Sequence, residues 1–85
     1  MIIDFHKDFT KDFKKLSSKA KKKFQDKLIL FEKDEFNPIL NSHALKGKYQ
    51  SYRSINVTGD IRAIYKKNDN SAIFVVIGSH SKLYG

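Results

Sequence analysis

The chain has 85 residues, enough for one domain, 1–85, with a modest core. It contains no cysteine, which excludes a disulfide framework and a thiolate zinc site, and no apolar run nears the ~20 residues needed to span a bilayer. Seventeen basic against nine acidic residues leave a formal charge of +8. Such a surface attracts polyanions: nucleic acid first, an anionic membrane second and an acidic protein segment third, unless the charge serves solubility alone. The acid at Asp4 interrupts what would be the apolar stretch of a secretory signal, so a cytoplasmic location is expected.

In chain order, Ile2 to Phe5 reads as a short strand. Phe9, Phe13 and Leu16 recur at helical spacing and predict an amphipathic helix over about 7–17. Ser18 is a candidate N-cap for a second helix, whose Ala20, Phe24, Leu28 and Phe31 form one stripe. That helix must stop by Asn37, because Pro38 disfavours helical geometry before it. Residues 41–50 read as an irregular approach containing His43 and Gly47. Strands are predicted over 52–57, 60–66 and 73–77, joined at Thr58-Gly59, where glycine tolerates positive φ, and at Asn68-Asp69-Asn70. Strand 73–77 is the most apolar and is expected at the centre; Gly78 ends it, and 79–85 form a tail.

The order β-α-α-β-β-β predicts an α+β domain, an antiparallel sheet with two N-terminal helices packed on one face. Alternation places Ile55, Val57, Ile61, Ala63, Tyr65, Ile73, Val75 and Ile77 under the helices. Ser54, Asn56, Asp60, Arg62, Phe74 and Val76 fall on the other face, which fits a site and a wetted sheet surface equally well.

His43 and His80 are two of three histidines and supply proton-transfer chemistry near neutral pH, although each also fits an exposed loop residue. His6, where the first helix begins, reads as structural. Asp60 follows a turn glycine and is either a turn residue or a catalytic carboxylate. Arg62, mid-strand, is either half of a surface pair or an anion clamp, its planar fork matching a phosphate. Tyr84 is a candidate base-stacking residue or a closing aromatic. Lys46 and Lys48 flank Gly47 close to His43, where a phosphate can be held. Lys19, Lys22 and Lys23 lie at the start of the second helix, an unfavourable end for cations, which points to a polyanion partner, although a solvated lysine face fits them equally well. No ligand spacing for a metal, no P-loop and no dinucleotide or nucleophile-elbow motif is present. The inventory supports acid–base cleavage of RNA through its own 2′-hydroxyl, without metal or other cofactor.

Four segments, His43-Ala44-Leu45-Lys46-Gly47, Tyr52-Arg53-Ser54, Gly59-Asp60-Ile61-Arg62-Ala63-Ile64-Tyr65 and Ile77-Gly78-Ser79-His80-Ser81-Lys82-Leu83-Tyr84-Gly85, resemble in order and spacing the YafQ branch of the RelE/ParE toxin superfamily. The resemblance implies the toxin of a type II toxin–antitoxin system, a ribosome-dependent mRNA endoribonuclease acting in the A site. It also implies a cognate antitoxin partner, operator DNA binding only through that antitoxin, and no membrane partner. His43, Asp60 and His80 match catalytic positions of the branch, Tyr84 its C-terminal aromatic, and Arg62 the strand arginine of RelE-like members. The resemblance implies His80 as general acid, Asp60 or His43 on the 2′-hydroxyl, and Arg62 on the phosphorane. Asn56 and Val76 depart from the pattern, standing where such toxins can carry a histidine and an arginine; Arg62 can restore that charge from the same face. The alternatives are a ParE-like gyrase inhibitor, a non-catalytic basic RNA-binding module, and a remnant that keeps only antitoxin binding.

Overall fold

The structure is a computed structural model and describes residues 1–84; Gly85, the last residue of the quoted pattern, lies outside the described residues. The elements are β1 (Ile2–Phe5), α1 (Lys7–Lys14), α2 (Ser18–Lys33), β2 (His43–Ala44), β3 (Arg53–Asn56), β4 (Ile61–Asn68), β5 (Ser71–Ser79) and α3 (His80–Tyr84). Short 3₁₀ turns occupy Pro38–Leu40 and Gly47–Tyr49. The α+β architecture holds, with two main helices on one face of a five-stranded sheet of order β1-β5-β4-β3-β2. The sheet is mixed rather than purely antiparallel. The α1–α2 pair carries the chain across, so β1 runs parallel to β5 while the other pairs are antiparallel. β4, not β5, is therefore the middle strand.

Local chemistry sets the helix ends. His6 caps α1, its Nδ1 accepting from the Asp8 amide at 3.1 Å, which gives this histidine a structural role. α1 stops at Lys14, earlier than its apolar spacing suggests, because the amides of Lys15 and Leu16 tighten into bonds to Asp12 and Phe13. Ser17 rather than Ser18 caps α2, accepting from the Ala20 amide at 3.1 Å. α2 ends at Lys33, and Asp34 and Asn37 then accept from the amides of Phe36 and Ile39 to turn the chain into Pro38–Leu40. At the β3–β4 turn Thr58 does the holding: its hydroxyl accepts from the amides of Asp60 and Ile61, and Gly59 does not use positive φ.

The core is aromatic. Phe9 and Phe24 from the helices meet Phe74 at ring-centroid distances of 5.8 and 5.6 Å, and Phe31 meets Tyr65 at 4.9 Å. Phe74 thus lies under the helices, opposite to the alternation inferred from sequence. The cause is a register shift: Ile64 pairs with Val76 but Tyr65 pairs with Phe74, leaving Val75 as an extra residue in β5. One bulged residue flips every side chain beyond it. Ala72 and Phe74 take the helix side, while Ile73 and Val75 are only half-buried.

One polar group is buried on this side. Glu35 is 7 % exposed and accepts from Tyr65 Oη and Lys67 Nζ, both at 2.7 Å, with Arg53 Nε at 3.9 Å. Ser42 joins it through Tyr65 (2.8 Å) and Arg53 (3.2 Å). The network ties the segment after α2 to β3 and β4. Burial, assisted by Glu35, pushes the Tyr65 phenol up to about 12. A folded-state value above the unfolded one means this contribution to stability is complete below the ordinary phenol range and is lost as pH rises toward 12. Thermal melts from pH 9 to 11.5 should therefore fall more steeply for the wild type than for Tyr65→Phe.

Candidate active site on the helix-free face

Cross-strand register assembles this face row by row. His43, Ser54, Ile64 and Val76 form one row, and Asn56, Arg62 and Gly78 the next. Beyond Gly78 the strand ends at Ser79, and the His80 amide donates to the Asp60 carbonyl at 2.9 Å. The backbones of Asp60 and His80 therefore lie opposite each other, two residues beyond the Arg62–Gly78 pair, and both residues are exposed. The tail expected after Gly78 is instead continued strand followed by α3, with Ser79 Oγ accepting from the Lys82 amide at 3.2 Å. This short helix folds back over Gly78: a Cβ there would stand 3.5 Å from Leu83 and Lys82. The fold-back keeps His80 on the face opposite α1 and α2. Its ring meets Tyr84 at 4.7 Å, and Tyr84 meets Tyr49 at 6.4 Å. Tyr49 in turn lines a cleft with Val76.

Arg62 does not reach freely into solvent. Its Nη1 donates to the carbonyls of Thr58 (2.9 Å), Ile61 (3.2 Å) and Gly59 (3.3 Å). The turn thus holds the guanidinium against its own backbone, while Nε and Nη2 make no hydrogen bond to the described residues. The strip between His43 and Arg62 also holds unspent hydrogen-bonding capacity. Ser54 Oγ and Asn56 Oδ1 are buried without a partner among the described residues, a costly condition in a native structure unless a water or ligand fills it.

His43 stands apart. It lies in β2, a short paired strand and not an irregular segment, and its Nδ1 is bonded to the Asn41 carbonyl at 2.8 Å. Two strand spacings and two residues separate it from Arg62, roughly 12 Å between Cα atoms. His80 is farther, three strands across and four residues along, roughly 19 Å on the same spacings. Lys46, Lys48 and Tyr84, by contrast, line one cleft beside His80, together with Tyr49, Lys82 and Leu83. Lys19, Lys22 and Lys23 are exposed on the helical layer, across the sheet from His80. Lys22 is partly occupied by Asp26, at 2.8 Å in an i,i+4 pair that holds the Asp26 carboxyl below its usual value.

Two aromatics in the site escaped the sequence reading. Tyr49 and Tyr52 meet edge to face at 6.2 Å, and Lys66 Nζ lies 5.5 Å from the Tyr52 ring centre. Their i,i+3 spacing was visible, but it falls in a segment without periodicity.

The family model for the bacterial toxin of type II toxin–antitoxin systems, YafQ, matches residues 1–85. The chain belongs to the YafQ family of toxins. Among solved structures it is similar to YafQ from E. coli strain BL21(DE3), at 25 % identity over 98 % of this chain and 97 % of that one, with a TM-score of 0.83. It is likewise similar to the toxin-bearing chain of the E. coli DinJ–YafQ toxin–antitoxin complex, at 26 % identity, 98 % and 96 % coverage and a TM-score of 0.80. A copper-bound mutant toxin from Helicobacter pylori matches at 27 % identity over 99 % of each chain, with a TM-score of 0.74. A YoeB/ParE toxin from Agrobacterium tumefaciens, at 16 % identity over 94 % of this chain and 99 % of that one, with a TM-score of 0.76, shares the fold. No curated protein matches by sequence. This YafQ-family member thus has the expected fold and is the toxin of a type II toxin–antitoxin system.

Proposed function

We propose that this toxin is an endoribonuclease that enters the ribosomal A site in the cytoplasm and cuts mRNA by attack of the 2′-hydroxyl on the adjacent phosphate. The observation that supports this reading is the backbone adjacency of Asp60, Arg62 and His80 at one end of the face opposite α1 and α2, given by the His80–Asp60 backbone bond of 2.9 Å and the Arg62–Gly78 pairing. In this scheme Asp60 takes or orients the 2′ proton. The Arg62 fork steadies the charge that builds on the phosphorane, and His80 protonates the departing 5′ oxygen. His43, too distant to share that phosphate without movement, contacts the strand farther along or approaches when RNA binds, in which case it competes with Asp60 as base. Arg62 takes over the charge absent at Val76. The scheme needs no metal or other cofactor.

Lys46, Lys48 and Tyr84 hold the RNA beside His80. Lys19, Lys22 and Lys23 face away from the scissile phosphate and meet other polyanionic surface, which in the A site is ribosomal RNA. No described helix is long and apolar enough to cross a membrane. By analogy with the DinJ–YafQ complex, the partner that silences the toxin is a cognate antitoxin, through which alone the pair meets operator DNA. Mapping mRNA 5′ ends on ribosomes after brief induction tests the proposal. Codon-phased new ends are expected; growth arrest without them, or inhibition of gyrase instead, would replace it.

A further inference from the structure

We propose that the cleft between Tyr49 and Tyr84 seats the base on the 3′ side of the cut, with Tyr49 as the residue that positions it. The inference rests on the nuclease reading and adds a polarity to it. The proton from His80 goes to the 5′ oxygen that leaves, and that oxygen belongs to the nucleotide 3′ of the scissile phosphate. The 3′ nucleotide must therefore lie next to His80. Against that ring the structure holds Tyr84, 4.7 Å away, and then Tyr49, 6.4 Å from Tyr84 at 89°.

The cleft they share is about 470 Å³ and is bordered by Lys46, Lys48 and Lys82. That size lies within the range of small-ligand sites. Both aromatics keep exposed surface, Tyr84 being 36 % exposed, whereas the structural tyrosine of the core, Tyr65, is 0 % exposed. Tyr49 is braced from behind by Tyr52 at 6.2 Å and has Lys48 Nζ 5.3 Å from its ring centre. A ring held in place beside three cations is how proteins hold single strands: the base stacks and the next phosphate meets lysine, with little preference for sequence.

The test uses a single-stranded RNA made uncleavable by a 2′-deoxy sugar at the cut, with 2-aminopurine either 3′ or 5′ of it; stacking quenches this base. The 3′ probe should be quenched by the wild type, by Tyr49→Phe and by His80→Gln, and at least several-fold less by Tyr49→Leu, with the 5′ probe nearly indifferent to Tyr49. Equal quenching of both probes, undiminished quenching by Tyr49→Leu, or none with the wild type overturns the inference. On programmed ribosomes, an abasic site 3′ of the cut should slow the wild type by roughly tenfold or more, in keeping with the strength of base–aromatic stacking, and slow Tyr49→Leu no further. Independent, multiplying losses would contradict it. A wild type that never cuts yet quenches the 3′ probe would defeat the nuclease reading and leave the stacking site standing.

Discussion

Replacing His80 with glutamine will lower mRNA cleavage on programmed ribosomes by roughly 10²–10⁴-fold, the usual contribution of a positioned acid, while the protein folds and binds as before. Glutamine keeps a polar side chain of similar reach but cannot deliver a proton to the 5′ oxygen. His80 is exposed, its main structural tie is the backbone bond to Asp60, and that bond does not depend on the side chain. The substitution therefore separates chemistry from stability. Cosedimentation with ribosomes should be unchanged, as should the melting temperature. Arg62→Ala tests the neighbouring role: if Arg62 carries the charge missing at Val76, cleavage falls comparably, and near-normal cleavage would show that the charge is not needed. Because Arg62 also donates to three carbonyls of the β3–β4 turn, Arg62→Lys is the control for a loosened turn.

Replacing Glu35 with alanine should destabilise the domain by about 3 kcal/mol, the lower end of what breaking a buried ion pair costs. The lower end applies because the side chains of Lys67 and Arg53 are 32 % and 27 % exposed and can turn toward water. The Tyr65 hydroxyl cannot, being wholly buried, and would keep only Ser42 as a partner. In a domain of this size such a loss lowers the melting temperature by on the order of 15 °C. Glu35→Gln retains an acceptor for Tyr65 and should lose less than half as much. Catalysis at a permissive temperature should survive both changes, since Glu35 lies on the helical side of the sheet. A melt that moves by only a degree or two would show that the network is incidental.

Much of the fold was readable because its signals are periodic. The α2 stripe of Ala20, Phe24 and Phe31 is buried as its spacing requires, and Asn68-Asp69-Asn70 turns the chain with Asp69 at φ 52°. What escaped has physical causes. The extra residue at Val75 leaves no trace in composition, yet it decides which side of β5 Phe74 faces. The five residues of α3 are too few to display a helical period, and the sequence shows only a tail. Ser17 and Ser18 are equally good caps by type, and only the direction of the chain chooses between them. The network joins Glu35 to Tyr65 and Lys67, 30 and 32 residues away, which pattern reading along the chain does not connect.

The site was legible in part for a different reason. Asp60 and His80 flank the paired ends of β4 and β5, where residues distant in sequence come together. His43 carries the same chemistry but lies in a two-residue strand at the sheet edge, so the register, not its residue type, sets its distance from the others. Tyr49 shows the converse: a residue with no periodic signal, carried by a 3₁₀ turn against Tyr84.

The most direct test of whether Asp60, Arg62 and His80 act on one phosphate is a double-mutant cycle. Single-turnover cleavage on programmed ribosomes would be measured for Asp60→Asn, His80→Gln and the double variant. Groups that serve one transition state lose little more together than either loses alone, so the double variant should cleave about as slowly as the worse single one. Full multiplication of the two losses, or cleavage that tolerates either substitution, would contradict a shared site.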